Sequence, residues 1–237
     1  MWSDLWARQP SPPYLLVVIT AVVALIAVAY RPIWRWARNA VTIAHEGGHA
    51  LVAVLCGRRL QAITLHNDTS GLTVTKGKPR GPGMVFTLMV GYIAPSLVGL
   101  AGAFALAEHR IRLLLWVAIA LLLVMLVMTR NGYGILAVLV TAAIVFVISW
   151  YTPARVQAAF AYVGVWFLLL GGVRPVFELV GQRHRGQARG SDVDQLGALT
   201  HVPGVLWLGL FALITLAAVV FGASLLNLLG DHLHPVR

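Results

Sequence analysis

Apolar residues run in long, nearly unbroken stretches along this chain, and polar residues gather in the short intervals between them. Seven such stretches can be marked, over residues 14–30, 40–56, 84–107, 111–128, 135–150, 156–173 and 203–229, with the sixth able to continue to 180. A helix rises about 1.5 Å per residue, so roughly 20 apolar residues cross the ~30 Å hydrocarbon layer of a bilayer. Within that layer a helix satisfies its own backbone hydrogen bonds. The pattern therefore predicts an all-α integral membrane protein with about seven transmembrane helices. One interval reads differently. The segment RRLQAITLHNDTSGLTVTKGKPRG is rich in β-branched residues around a central Asn-Asp-Thr-Ser-Gly turn, which predicts a short β-hairpin over residues 62–75. An ordinary polar connector is the plainer alternative. A hairpin would offer an edge to which an extended peptide could add.

Composition agrees with the pattern. Of the 237 residues, 59% are hydrophobic and 11% charged, against about 25% charged in a soluble domain. The chain reads as a single polytopic unit over 1–237, with 14–30 an accessory first span and 40–225 the core. The start, MWSDLWARQPSPP, lacks the basic opening and small-residue cleavage site of a secretory signal, so the first run is expected to be a retained span. The formal net charge of +10 comes from basic residues between apolar runs. Such placement suits anionic headgroups and orientation, not nucleic acid.

A seven-span count assigns Arg8, Arg58, Arg59, Lys76, Lys78, Arg80, Arg130, Arg183, Arg185 and Arg189 to the N-terminal side. It assigns Arg31, Arg35, Arg38, Arg110, Arg112, Arg155 and Arg237 to the other. The excess places the N-terminus in the cytoplasm. Trp34, Trp36 and Trp150 are expected as interfacial anchors. The lone Cys56 excludes an internal disulfide and reads as a small buried residue near a helix end.

Three ionisable residues lie inside the second apolar run, in AHEGGHALVAVLCG: His45, Glu46 and His49. Histidines four apart share one helix face, about 6 Å apart along the axis. Two neutral imidazoles so placed can hold a zinc ion, and the intervening carboxylate can act as a base on water beside it. Ionisable groups are costly in hydrocarbon, so the trio marks a functional site. Gly47 and Gly48, flanked by Ala44 and Ala50, leave room for a metal, a substrate strand or another helix.

A third ligand has to come from elsewhere. Elimination among eight acidic residues leaves Asp192, Asp194 and Glu178, in that order of preference. The first two lie in GSDVDQLGALTHVPG, a loop entering a helix with Ser191 as N-cap. The plainer reading has both aspartates offset Arg183, Arg185 and Arg189. His201 is expected to be an interfacial histidine. In GYIAPSLVGLAG, Pro95 can bend the third span, while Gly91, Gly99 and Gly102 permit close packing, in the sharper reading against the histidine helix.

Three pieces together, AHEGGHA at 44–50, VGYIAPSLVGL at 90–100 and GSDVDQL at 190–196, resemble the site-2-protease-like intramembrane zinc metallopeptidases, in their compact bacterial and plant branch. The resemblance covers roughly residues 40–225. It implies zinc held by His45 and His49, Glu46 as general base, Asp192 as third ligand, and a membrane-embedded hairpin. It also implies a multi-pass protein of a bacterial plasma membrane. Its substrates would be single-span helices of membrane proteins, such as anti-sigma-type regulators. This chain has Ser-Asp-Val-Asp where better-known members have an Asp-Gly pair. No substrate-filtering domain fits in its length, so selection would rest on the spans, the hairpin or a partner. The other readings are a non-catalytic membrane protein with a structural metal site, and a metal transporter. The second lacks the polar path it would need on other spans.

Overall fold

The computed structural model describes residues 6–186 and 190–227; Asp4, Arg189, Asp231, His232, His234 and Arg237 lie outside the described residues. The described residues form helices α1 (Tyr14–Ala29) and α2 (Arg31–Leu55), strands β1 (Arg59–Leu65) and β2 (Gly71–Lys76), then helices α3 (Pro82–Ala107), α4 (Ile111–Met128), α5 (Gly132–Tyr151), α6 (Ala154–His184), α7 (Asp192–Thr200) and α8 (Gly204–Leu225). Helices α3, α4, α5, α6 and α8 are each long and apolar enough to cross a membrane. The protein is an all-α membrane protein with one small antiparallel sheet.

Among the described residues the count of about seven spans becomes five, or six with α1 and α2 taken as one broken span. These two helices meet at 101°. Tyr30 is extended between them, and Pro32 stands in the first turn of α2. Proline is compatible with a helix start and not with its interior, so the chain turns there. The polar first half of α2, with Arg31, Arg35, Arg38 and Asn39, continues the helix that carries the histidines instead of forming a connector.

This break changes which residues share an end of the bundle. Arg8 pairs with Glu108 at 3.0 Å, beyond the far end of α3 from the hairpin. Arg31, Arg35 and Arg38 line a cavity together with Asn67, Asp68 and Thr69 of the hairpin turn. The expected grouping is therefore wrong at both places: Arg8 lies opposite the hairpin, and the three arginines lie beside it.

Helix α3 is central, packing on α2, α6, α7 and α8. Its contact with α6 depends on small residues. A Cβ on Gly99 would stand 2.8 Å from the Leu169 backbone nitrogen, and one on Gly172 would stand 2.8 Å from that of Ser96. Gly99 and Gly102 thus serve α6, whereas Gly91 alone of the three faces the histidine helix. Pro95 is buried within α3, which continues through it.

The hairpin is present. Its strands pair from Arg59↔Lys76 to Leu65↔Gly71, with a bulge between Leu60 and Ala62. Ile63 and Leu65 point into the core. Asp68 braces the turn by accepting from the Ser70 hydroxyl at 2.6 Å and its backbone N–H at 2.9 Å. These bonds from Ser70 hold the Asp68 carboxyl below its usual value. Their support is present at neutral pH and lost as pH falls through that lowered value.

The outer edge of β1 is already occupied. Ile63 bridges Thr129, and Asn131 bonds both the N–H and the carbonyl of Leu65, at 3.1 and 2.6 Å. Strand β2 makes no backbone hydrogen bond to a described residue outside the hairpin.

Two smaller expectations are corrected. Trp34 is 2% exposed, its Nε1 donating to Glu178 at 3.1 Å, so it is interior and not an interfacial anchor. Trp36, at 83% exposed, and Trp150 do face outward. Cys56 is exposed where α2 ends, not buried. His201 is exposed as the left-handed C-cap of α7.

Candidate metal centre

Helical spacing sets the first two donors. His45 and His49 lie one turn apart on α2, with their Nε2 atoms 3.1 Å from each other. The His49 Nδ1 lies 2.6 Å from the Thr87 carbonyl of α3. That carbonyl can only accept, so Nδ1 carries the proton and Nε2 presents its lone pair.

The third donor arrives from 143 positions further along the chain. Ser191 caps α7 by accepting from the Asp194 N–H, which sets Asp192 on the first helical turn. Asp192 Oδ2 lies 3.3 Å from His45 Nε2 and 3.2 Å from His49 Nε2. Donors about 2.0–2.2 Å from a shared tetrahedral ion are separated by roughly 3.3–3.6 Å. The three measured separations are close to that spacing, and two imidazoles with one carboxylate are a donor set that zinc accepts. The residues fit a metal ion.

The other two candidates are engaged elsewhere. Asp194 pairs with Arg183. Glu178 pairs with Arg174 at 2.8 Å and Arg38 at 3.5 Å. The plainer charge-offset reading thus describes Asp194 and not Asp192. Replacing Asp192 with Asn is expected to lower zinc affinity by about 10-fold or more, as loss of an ionised donor should. The Asp194→Asn protein should retain its zinc, though the ion pair with Arg183 is lost. Titration of both purified proteins with zinc against a competing chelator measures the difference.

Glu46 is buried on the same helix. Its carboxylate Oε2 accepts from the Thr73 hydroxyl of β2 at 2.6 Å, and the same hydroxyl lies 3.2 Å from the Glu46 carbonyl. A Cβ on Gly71 would stand 2.4 Å from Glu46 Oε1, so β2 can lie this close only with glycine there. The hairpin therefore runs directly over the carboxylate.

Sequence reasoning did not single out Thr73, Thr87 or Tyr92. Tyr92 lies edge-on to His45, with ring centroids 5.1 Å apart, and stacks on Phe211 of α8 at 5.7 Å. In the sequence the GYIAP stretch is marked by its small residues and proline, and nothing distinguishes its aromatic. Thr73 had no signal beyond its place in a strand pattern. Of the paired glycines, Gly48 meets α3, where a Cβ would stand 2.4 Å from that of Ala94, while Gly47 faces open space.

No curated protein and no solved structure matches the chain. A family model does match, that of the Peptidase M50B-like family, over residues 18–222. The matched stretch contains α2 with its histidines, the hairpin, α3 and the Asp192 helix. It takes in most of the sequence, and the chain belongs to the Peptidase M50B-like family of membrane metallopeptidases.

Proposed function

We propose that this protein is an intramembrane zinc endopeptidase that hydrolyses peptide bonds in or near the transmembrane segments of other membrane proteins. The observation that carries the reading is the convergence of His45, His49 and Asp192 beside the buried Glu46, with the edge of β2 alongside. A zinc ion bound there would supply Lewis acidity, lowering the pKa of water toward neutrality and polarising the scissile carbonyl. Glu46 takes the proton of the attacking water at its carboxylate and returns it to the leaving amide nitrogen. The water oxygen adds to the carbonyl carbon, and the scissile C–N bond then breaks once the nitrogen has received that proton and leaves as the amine.

A helical substrate hides its carbonyls in hydrogen bonds, so it has to unwind before attack. Strand β2 supports this step. Its outer edge makes no backbone bond to a described residue, whereas that of β1 is held by Thr129 and Asn131. An extended substrate adding to β2 would pass beside Glu46. The proposed substrates are single-span proteins, including the anti-sigma-type regulators that the family resemblance implies.

Thr73 is a positioning residue in this scheme. Thr73→Val removes the hydroxyl on Glu46 with little change in shape. Cleavage is expected to fall about 10–100-fold with metal content unchanged, and Thr73→Ser should restore most of it. Single-turnover rates on one substrate test this.

Orientation follows from the corrected grouping of charges. Arg8, Arg110, Arg112 and Arg155 lie at the end away from the hairpin. Arg31, Arg35, Arg38, Arg58, Arg59, Lys76, Lys78, Arg80, Arg130, Arg183 and Arg185 lie toward it. The excess puts the hairpin in the cytoplasm. With α1 and α2 as one span, the proposed N-terminus then faces the opposite side of the bacterial plasma membrane, in place of the cytoplasmic N-terminus that the seven-span charge count favoured.

The decisive test of the proposal uses purified protein in bilayers with single-span substrates. Cleavage should stop on chelation and return with zinc. Zinc-loaded protein that cleaves none of a broad panel of such substrates would favour a non-catalytic, structural metal site.

A further inference from the structure

A second polar site lies at the hairpin end of the bundle, apart from the metal centre. A cavity of about 820 Å³ opens where the α1–α2 break, the hairpin turn and the last third of α6 meet. Five arginines line it: Arg31, Arg35, Arg38, Arg174 and Arg185. Asp68 and Glu178 are its carboxylates. Both are committed, Glu178 to Arg174 and Arg38, and Asp68 to Ser70.

Arg31, Arg35 and Arg38 recur at helical spacing along one face of α2. Arg31 and Arg35 make no ion pair or hydrogen bond with any described residue. Arg174 is fixed against the Trp34 ring, 4.7 Å from its centroid, and bonds the Val28 carbonyl at the end of α1. The wall is thus a preset cationic surface with two guanidinium forks open. A guanidinium fork matches the oxygens of a phosphate in a bidentate manner.

The setting selects among anions. Phe177 lines the cavity and is 55% exposed, and Tyr30 and Ile33, adjacent in sequence to the lining residues Arg31 and Trp34, are also exposed. Exposed apolar and aromatic side chains next to arginines, where apolar helices end, match the boundary between acyl chains and headgroups. A soluble acidic peptide would leave that apolar rim unused.

We propose that this cavity binds the phosphate headgroup of an anionic phospholipid, with Arg31 and Arg35 as the principal contacts. The site also joins separate elements. Asn67, Asp68 and Thr69 form one wall, and the Thr69 carbonyl accepts from Thr42, three residues before His45. A bound headgroup would hold the hairpin turn and the start of α2 in one arrangement. Neither the binding nor its test depends on peptidase activity.

The full-length protein is purified from mixed micelles of phosphatidylglycerol and phosphatidylcholine, and bound lipid is read by native mass spectrometry. Preferential retention of phosphatidylglycerol is expected. In the Arg31→Gln/Arg35→Gln protein that preference should drop by on the order of tenfold. Lys78→Gln/Arg80→Gln removes the same charge from the segment that follows β2, outside the cavity, and should leave the preference intact. Should the glutamine variant fail to fold, Arg31→Lys/Arg35→Lys replaces it; loss of the forks should still lower the preference severalfold. Equal loss in the Lys78/Arg80 control, or no loss in either cavity variant, overturns the proposal. Displacement of the lipid by equimolar inorganic phosphate, or by a glutamate-rich peptide, overturns the lipid assignment in favour of that ligand.

Discussion

Glu46→Gln is expected to reduce cleavage by about 10²–10⁴-fold, the range that a positioned general base contributes, while the protein folds and keeps its zinc. Glutamine matches glutamate in shape, and its amide oxygen can still accept from Thr73 at the position now 2.6 Å from that hydroxyl. The close approach of Gly71 is also preserved. What is lost is the basic oxygen that receives the water proton. Glu46→Ala is a less clean change, because it leaves the Thr73 hydroxyl without its carboxylate. The measurement pairs metal content with single-turnover cleavage in bilayers. A Glu46→Gln protein with wild-type zinc and undiminished cleavage would remove Glu46 from the chemistry. A structural metal site makes a different forecast: Glu46→Gln changes no cleavage, and loss of His45 or His49 lowers stability.

The parts of this site that were legible in the sequence are those set by local periodicity. His45 and His49 share a face because four residues make slightly more than one turn. The hairpin followed from its turn residues and β-branched strands. The choice between Asp192 and Asp194 was not local. Two positions on a helix differ by about 200° in direction, so one aspartate facing the histidines obliges the other to face away, and Arg183 lies on that other side. Sequence spacing shows this exclusion but not which aspartate faces inward. That depends on how α7 lies against α3, a contact between segments 100 residues apart.

The break at Tyr30 was hidden for a different reason. Residues 14–30 and 40–56 are both apolar, and Arg31, Arg35 and Arg38 look like a loop between two spans. They are instead the polar face of one continuous helix that starts at Pro32's turn. One missed bend altered the parity of crossings and so exchanged the ends assigned to several charges. Trp34 was misplaced through the same error: its partners, Arg174 and Glu178, come from α6.

The second large effect is expected at a residue with no reactive group. Gly91→Ala should abolish tight zinc binding while sparing the fold. A Cβ at this position would stand 2.4 Å from His49 Nε2 and 2.7 Å from His45 Nε2. Heavy atoms cannot share that space, so either α2 and α3 separate or the rings turn. The obstructed atoms are the free ends of two side chains, and ring rotation is the smaller change. Rotation of His49 also breaks its 2.6 Å bond to the Thr87 carbonyl, which fixes the tautomer. Both first donors are then displaced together. The fall in zinc affinity should exceed the roughly 10–100-fold typical of losing a single outer partner, and cleavage should fall with it. Zinc affinity by chelator competition, alongside thermal unfolding of the zinc-free proteins, separates the two responses. A zinc-free midpoint near wild type with lost affinity is the expected result. Retained affinity would mean that α3 does not press on the histidines as closely as the 2.4 Å approach requires. The same methyl at Gly47, which faces open space, should leave zinc affinity near wild type, so the loss can be assigned to contact and not to helix propensity.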